Sequence, residues 1–210
     1  MKIIKIDEKN IRKEEIDLIV KYLKQGKVVV LPTDTIYGLS CLANSKSGIA
    51  KIHKIKGSSP KKPLIILVKG YCMLKNFAKV SKKQEKYLRK IWPRTTREAG
   101  INTGKKVIPT TVILENRGKK LKYACAGQDN IAVRLPKSEF IYRIISKVGL
   151  PLVSTSFNIA SQKPPKTFKT LEKEFKVLPD LVVDVEKLGK TKPSYLIDIR
   201  DIKKIRILRK

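Results

Sequence analysis

The segment "VVVLPTDTIYGLS", residues 28–40, changes abruptly from apolar to polar residues. Its four apolar residues in a row predict a buried β-strand. The strand is followed at once by a proline and then by hydroxyl and carboxyl groups, on Thr33, Asp34, Thr35 and Tyr37. We therefore expect a sheet in which the end of a buried strand forms part of a binding site.

Three other segments place polar side chains beside predicted strands or glycine turns. The segment "LPLVSTSFN", 150–158, repeats the pattern of a buried strand followed by hydroxyls and an amide. The strand "IAVRLP", 131–136, contains Arg134, and "KIKGSSPKKPL", 54–64, supplies Lys56, Lys61 and Lys62. Hydroxyls, amides and fixed cations are groups that bind phosphates and small carboxylates.

The rest of the chain predicts a mixed α/β fold. Ile16, Ile19, Val20 and Leu23 have helical spacing and precede Gly26, and two more helices are predicted to end at Gly57 and Gly149. Further strands are predicted in "KIIKI", "PLIILVK", "TTVILE", "DLVVDV", "SYLIDI" and "KIRILRK", and a short helix near "FKTLEKEF". Because strands and helices do not alternate strictly, we expect one α/β domain, residues 1–210, around a twisted mixed sheet.

Composition limits the class of protein. The chain has 210 residues, 48 Lys and Arg, 18 Asp and Glu, and a net charge of +30. That balance favours polyanionic partners, RNA first, although a lysine-rich habit of the source organism would produce it too. Its three cysteines are far apart, and neither a membrane-length apolar run nor an apolar leader segment is present. We expect a cytoplasmic protein that does not enter a membrane.

Residues 94–108, "RTTREAGINTGKKVI", have the composition of an inserted basic loop. The part "AGINTGKK" resembles a phosphate-binding loop, but it has three residues between its glycines instead of four. A lysine also stands where Ser or Thr should follow the first lysine, and no buried strand comes before it. We therefore predict an exposed flexible loop and not a phosphate-binding loop.

Six segments in the same order resemble the YrdC-like family of threonylcarbamoyl-AMP synthases in its single-domain form. They are "PTDTIYGL" (32–39), "KIKGSSPKKPLIILV" (54–68), "IWP" (91–93), "IAVRLP" (131–136), "PLVSTSFNIAS" (151–161) and "PSYLIDI" with "ILR" (193–209). The resemblance implies a twisted open mixed sheet with flanking helices and a central basic cavity. It also implies a nucleotidyltransferase that converts L-threonine, bicarbonate and ATP into threonylcarbamoyl-AMP and diphosphate, for threonylcarbamoyladenosine modification of tRNA.

The resemblance also implies roles for individual residues. Three residues would be catalytic: Lys56, Ser156 and Asn158. Three would bind L-threonine: Thr35, Arg134 and Ser194. Five would bind ATP: Lys62, Asn130, Ser154, Ser156 and Arg209. Mg²⁺ would enter with ATP and not at a metal site of the protein, and the product would pass to a tRNA threonylcarbamoyl-transferase complex.

The sequence departs from the family pattern at two positions near the phosphates. Ser58 stands where the family usually has an arginine, and Ser161 stands where it usually has a glycine, which is unfavourable if that turn needs positive φ. A weakened family member that binds RNA is therefore a second hypothesis. A carbamoyl-transfer domain of a hydrogenase-maturation protein is a third, but the accessory zinc-finger and acylphosphatase-like regions are absent from this sequence.

Several residues also have purely structural interpretations. Asp34 would cap a turn after Pro32, and Tyr37 would be a packed aromatic residue with a satisfied hydroxyl. Arg134 would form an ion pair with Asp198, and Lys56 would be a solvated helix end. The single histidine, His53, is predicted to be a surface residue because it lies beside lysines.

Overall fold

The computed structural model describes residues 1–7, 10–92, 108–162, 164, 168, 171–185 and 192–210. The predicted basic insert, except for its last residue Ile108, lies outside the described residues.

One mixed sheet contains all the strands of the described part of the chain. They are β1 (Lys2–Lys5), β2 (Val29–Leu31), β3 (Gly38–Leu42), β4 (Ile65–Leu67), β5 (Ala78–Lys79), β6 (Thr110–Asn116), β7 (Asn130–Arg134), β8 (Leu152–Ser156), β9 (Leu181–Asp184), β10 (Tyr195–Asp198) and β11 (Arg206–Arg209). Their order in the sheet is β1-β9-β2-β3-β8-β4-β7-β6-β10-β11, and β5 pairs with β6. The sheet is open, with β1 and β11 at its two edges, so the predicted α/β class with an open mixed sheet is confirmed.

Strand β3 is the main element that the sequence did not predict. It pairs antiparallel with β2, Val30 opposite Leu39, and antiparallel with β8, Gly38 opposite Ser156. All five of its residues are buried. The polar segment after β2 is therefore a connection between two central strands, and it lies beside the end of β8.

Six α-helices surround this sheet within the described residues. They are α1 (Lys13–Lys24), α2 (Lys46–Lys56), α3 (Tyr71–Lys75), α4 (Lys82–Ile91), α5 (Glu139–Val148) and α6 (Leu171–Glu174), and a 3₁₀ turn covers Lys119–Leu121. Helices α2 and α5 end at Gly57 and Gly149, which have φ angles of 58° and 76°. This left-handed conformation is easy for glycine and explains where both helices stop.

The amphipathic pattern of α1 places its apolar face in the core. The four residues predicted to point inward, Ile16, Ile19, Val20 and Leu23, are all buried. The core continues through the central strands, where Val29, Leu39 and other apolar side chains are inaccessible to solvent. None of the helices described is both long enough and apolar enough to cross a membrane.

Candidate active site

The connection between β2 and β3 is held in a fixed shape by the hydroxyl of Thr33. Its Oγ1 donates to the carbonyl of Ile36 at 2.7 Å and accepts from the backbone N–H of Thr35 at 3.1 Å. The same oxygen lies 2.9 Å from Oγ1 of Thr35. These contacts fix the position of the Thr35 hydroxyl, which sequence reasoning predicted to touch the amino acid.

Arg134, at the end of β7, is buried against this connection. Its Nη1 donates to Thr35 Oγ1 at 2.8 Å, and its Nη2 donates to Asp34 Oδ1 at 2.7 Å. The second oxygen of Asp34 accepts from the backbone N–H of Lys137 at 3.0 Å. The alternative prediction, an ion pair between Arg134 and Asp198, is wrong, because Asp34 is the carboxylate that pairs with Arg134.

One N–H group of the buried Arg134 side chain, at Nε, has no hydrogen-bond partner in the described part of the chain. The residue as a whole is only 6% exposed. Burial lowers the pKa of Arg134, the negative charge of Asp34 raises it, and the nearby positive charge of Arg209 lowers it further. This N–H is closed off from solvent, and a buried N–H without a partner costs free energy.

A cavity of about 130 Å³ lies next to Arg134. Its lining includes all three residues predicted to bind L-threonine: Thr35, Arg134 and Ser194. Ser194 is fixed from two sides, because its Oγ lies 2.8 Å from Thr111 Oγ1 and its carbonyl accepts from Arg209 Nη2 at 2.8 Å. Thr111 is a partner that no sequence motif indicated, since it lies on β6, far from Ser194 in the chain.

Gly38 allows the wall of this small cavity to close. A Cβ at this position would lie 2.3 Å from Ser154 Oγ, closer than atoms can approach without a shift. The side chain of Ser154 therefore occupies the space that any larger residue at position 38 would need. Glycine here lets β3 and β8 pair while the Ser154 side chain lines the cavity.

Lys56, the last residue of α2, joins three of the predicted residues into one cluster. Its Nζ donates to the carbonyls of Ser156 and Asn158 at 2.7 and 2.9 Å, and to Asn158 Oδ1 at 2.9 Å. A longer contact of 3.4 Å reaches Ser156 Oγ. Burial, with a smaller contribution from the charge of Lys62, lowers the pKa of Lys56 to about 8. The three residues predicted to be catalytic are therefore in direct contact.

A larger cavity of about 620 Å³ adjoins the small one. Its lining includes Lys56, Asn158 and four residues predicted to bind ATP: Lys62, Asn130, Ser156 and Arg209. The remaining predicted ATP residue, Ser154, lines only the small cavity. Four residues line both cavities: Ile65, Thr155, Ser156 and Arg209. A volume in this range is typical of sites for small molecules and cofactors.

Sequence reasoning missed a charged cluster on the wall of the larger cavity. Asp198 is buried and forms ion pairs with Arg200 at 2.7 Å and Arg206 at 2.9 Å. Hydrogen bonds from Arg200, and one from Arg206, lower the pKa of Asp198 to about 2, although burial opposes them. No spacing rule brings these three residues together, because the cluster depends on the antiparallel pairing of β10 with β11.

His53 is buried, so its prediction as a surface residue is wrong. Its Nδ1 lies 3.0 Å from Ser58 Oγ, and the residue packs on the inner face of α2. Burial lowers the pKa of His53, and the positive charge of Lys56 lowers it further. Ser58, the residue in place of the family's arginine, thus has a partner of its own and also lines the larger cavity.

Tyr37 has the structural role that sequence reasoning left open. Its hydroxyl donates to the carbonyl of Val185 at 3.1 Å and accepts from the Val185 N–H at 2.9 Å. The ring also packs edge-on against Phe168. Tyr37 therefore ties the β2–β3 connection to the end of β9 and lines neither of the two cavities.

The open sheet and its two adjoining cavities define an α/β protein with a candidate site lined by arginines, lysines and hydroxyls. The chain belongs to the Sua5/YciO/YrdC family, whose model, described as telomere recombination, matches residues 21–210. It is similar to a Methanocaldococcus jannaschii protein whose provisional name is threonylcarbamoyl-AMP synthase. The identity is 34% over 98% of this chain and 91% of that protein. It is also similar to the threonylcarbamoyl-AMP synthase of Vibrio campbellii, with 28% identity over 91% of this chain and 96% of that protein.

Solved structures show the same fold. The chain matches the structure of Pyrococcus abyssi Sua5 with L-threonine at a TM-score of 0.83 and 24% identity, over 100% of this chain and 57% of that one. It matches Escherichia coli YciO at a TM-score of 0.79 and 19% identity, over 100% of this chain and 94% of that one. The chain thus spans a little over half of the Sua5 structure and nearly all of YciO.

Proposed function

We propose that this chain is a nucleotidyltransferase, an L-threonylcarbamoyladenylate synthase. It would convert L-threonine, bicarbonate and ATP into threonylcarbamoyl-AMP and diphosphate. The observation that carries the proposal is a small cavity with a buried arginine fork, opening beside a larger cationic cavity through shared residues. The relatives named threonylcarbamoyl-AMP synthase support the same reaction.

L-threonine would bind in the small cavity. Its carboxylate would meet Arg134, whose planar guanidinium is permanently charged and lines this cavity. Thr35 and Ser194 would contact the same amino acid from opposite walls. Because Thr33 and Thr111 already hold those two hydroxyls, little conformational entropy would be lost on binding.

ATP would bind in the larger cavity. Lys56, Lys62, Asn130, Ser156 and Arg209 would face the nucleotide, and Ser154 would act from the small cavity beside them. Mg²⁺ would arrive on the ATP phosphates as part of that substrate. Across the part of the chain that the structure describes, no three His, Cys, Asp or Glu side chains lie together as a candidate metal site.

The proposed chemistry joins the two cavities at Ser156. The threonine amine would form a carbon–nitrogen bond with bicarbonate, with loss of water, to give a carbamate. A carbamate oxygen would then attack the α-phosphorus of ATP, and the bond to the β-phosphate would break to release diphosphate. Lys56 and Asn158 would stabilise the charge on these oxygens, so that catalysis rests on positioning and electrostatics without a covalent intermediate on the protein.

We place the reaction in the cytoplasm, as the first step of tRNA threonylcarbamoyladenosine formation. A separate tRNA threonylcarbamoyl-transferase complex would then receive the adenylate. The net charge of +30 favours an additional contact with tRNA. The same charge supports a second candidate, a weakened family member that binds RNA, and that protein would bind RNA with a steep salt dependence but release no diphosphate.

The deciding experiment measures diphosphate release from ATP in bicarbonate buffer with and without L-threonine. The proposal predicts release that saturates with L-threonine and is lost when bicarbonate is removed. Mass spectrometry of the same mixture should show threonylcarbamoyl-AMP. If no release above background occurs at high protein concentration, or if release does not depend on threonine, the proposal is wrong.

A further inference from the structure

The lining of the larger cavity includes two arginines held by one buried carboxylate. Asp198, 4% exposed at the end of β10, accepts from Nε and Nη2 of Arg200 at 3.0 and 2.7 Å. Its Oδ2 also accepts from Nη2 of Arg206 at 2.9 Å. Because one side of each guanidinium is fixed by Asp198, both groups are preorganised before any ligand binds.

The backbone beneath this pair is fixed as well. Gln84, a buried residue of α4, donates from its Nε2 to the carbonyls of Ile199 and Arg200, at 2.8 and 3.3 Å. Arg206 is on β11, which pairs antiparallel with β10. Arg206 is therefore on the sheet, and Arg200, in the turn after β10, is fixed through the hydrogen bonds of Gln84 to its backbone and of Asp198 to its side chain.

Both guanidinium groups keep donors for a ligand. The side chain of Arg206 is 67% exposed and that of Arg200 is 40% exposed. In the described part of the chain, Nε and Nη1 of Arg206 and Nη1 of Arg200 have no recorded hydrogen-bond partner. A guanidinium that is held on one edge can present its other edge as a fork to phosphate oxygens.

The distribution of charge favours an anion on one side of this pair. Among the described residues, the charged groups lining the 620 Å³ cavity are five cations, Lys56, Lys62, Arg200, Arg206 and Arg209, and one carboxylate, Asp198. The cavity on the other side of the pair, about 800 Å³, has three further carboxylates, Glu115, Asp129 and Asp201, but also Lys79 and Lys204, so that its charges balance. An anion would therefore be drawn to the first cavity, where cations are in excess, more strongly than to the second.

We propose that Arg200 and Arg206, held by Asp198, bind the terminal phosphates of a nucleoside triphosphate and hold the diphosphate that leaves. In this arrangement Lys56 faces the phosphate chain from the α2 side and the two arginines face it from the β10–β11 side. The pair thereby supplies the guanidinium fork that Ser58 cannot provide. That the triphosphate is ATP in a synthase rests on the proposed function, whereas recognition of the polyphosphate chain does not.

The test is equilibrium binding without threonine, so its result is independent of synthase activity. The probes are inorganic triphosphate, ATP and AMP, titrated into the wild type and into Arg200→Gln and Arg206→Gln. Each substitution removes one charge-assisted contact at a partly exposed site, so we expect the Kd of triphosphate and ATP to rise about five- to tenfold. The Kd of AMP, which lacks the terminal phosphates, should stay within twofold.

A matched control removes an equivalent charge elsewhere. Arg12 at the start of α1 is 68% exposed and forms an ion pair with Glu15 at 2.7 Å, much like Arg206 with Asp198. Arg12→Gln should leave every Kd within twofold, and Arg206→Lys, which keeps the charge but loses the fork, should fall between the wild type and Arg206→Gln.

Three results would overturn the inference. One is a wild type that does not bind triphosphate. Another is a triphosphate Kd in Arg200→Gln and Arg206→Gln that changes no more than in Arg12→Gln. The third is an AMP Kd that rises as much as that of triphosphate. Diphosphate release that needs threonine, together with any of these, would refute the role of the two arginines but keep the proposed function.

Discussion

The two cavities of this protein are built in different ways. The polar groups of the small one are buried: Arg134 is bonded to Thr35, and Ser194 is bonded to Thr111. The larger one is bordered by the edge strand β11 and by the end of α2, and several of its cations are exposed. The two cavities share Arg209 and Ser156, but the small one is lined mostly by buried groups and the larger one contains more of the exposed cations.

Replacing Arg134 should have the largest effect on both the stability and the ligand affinity of the small cavity. Arg134→Ala leaves Asp34 buried without its partner, so we expect a loss of about 3 kcal/mol in the free energy of unfolding. Affinity for L-threonine should fall about 100-fold or more, because the fork for its carboxylate is gone. Denaturant unfolding and calorimetry measure the two effects separately.

The double variant Asp34→Asn/Arg134→Ala separates stability from binding. Removing the unpaired carboxylate should restore part of the stability but none of the affinity for threonine. If Arg134→Ala binds threonine as tightly as the wild type, the small cavity is not the threonine site.

Lys56 lines the larger cavity and contacts Ser156, which lines both cavities. Its charge should make ATP binding depend on pH. With a pKa of about 8, Lys56 loses its proton between pH 7 and 9 in the folded chain. The affinity for ATP should therefore fall over this interval in the wild type. Lys56→Met should bind ATP about 30-fold more weakly at pH 7 and show a flatter pH dependence.

The same shift has a consequence for stability with a defined sign. The unfolded chain keeps the lysine proton up to the usual pKa of 10.5, whereas the folded chain releases it near 8. The unfolded state thus binds more protons in this window, and the contribution of Lys56 to the free energy of unfolding rises with pH. The measurement is the free energy of unfolding of the wild type and of Lys56→Met at pH 7.5 and 9.5. If this free energy changes with pH by the same amount in both proteins, the assignment is wrong.

Gly38→Ala tests how tightly the small cavity is closed. Because the new Cβ would meet Ser154 Oγ, we expect a loss of about 1–2 kcal/mol in unfolding free energy and weaker threonine binding. Adding Ser154→Ala removes the clashing oxygen and should recover most of the stability. A double variant as unstable as Gly38→Ala would mean that another contact is responsible.

Tyr37→Phe tests whether Tyr37 stabilises the fold without contributing to threonine binding. The substitution removes both hydrogen bonds to Val185, so we expect a loss of about 1–2 kcal/mol in stability. Threonine affinity should stay within twofold, since Tyr37 does not line the small cavity. A large loss of threonine affinity in a stable variant would move Tyr37 into the binding site.

Ser58→Arg should have the smallest effect, although it restores the residue that is usual in the family. If Arg200 and Arg206 already provide forks for the phosphates, ATP affinity should rise no more than about threefold. A gain of tenfold or more would show that the larger cavity lacks a fork, and would count against the role of these two arginines.

Local patterns in the sequence predict much of the fold and part of the candidate site. Buried apolar runs and helical spacing predict most strands and helices, because burial determines both the pattern and the element. The clusters around Thr35, Arg134 and Ser156 follow from polar groups at the ends of such strands, and Lys56 follows from the end of a helix at Gly57. The resemblance to the family adds Ser194 and Arg209, whose sequence contexts alone would not have indicated a site.

The remaining contacts depend on pairing that no local pattern records. The segment after Tyr37 does not predict a strand, because it starts at a glycine and has no run of β-branched residues. Asp34, and not Asp198, pairs with Arg134 because the β2–β3 connection folds over the end of β7. His53 is buried because it lies on the inner face of α2, even though a lysine follows it in the sequence.

Calorimetric titration of L-threonine in the presence of ATP and Mg²⁺, with the wild type beside Arg134→Lys, tests the central claim most directly. Arg12→Lys serves as the control for an arginine replaced outside the cavities. We predict saturable binding of one threonine per chain to the wild type and to Arg12→Lys, and at least tenfold weaker binding to Arg134→Lys. Equal binding in all three proteins, or none in the wild type, would contradict the assignment of the small cavity to L-threonine.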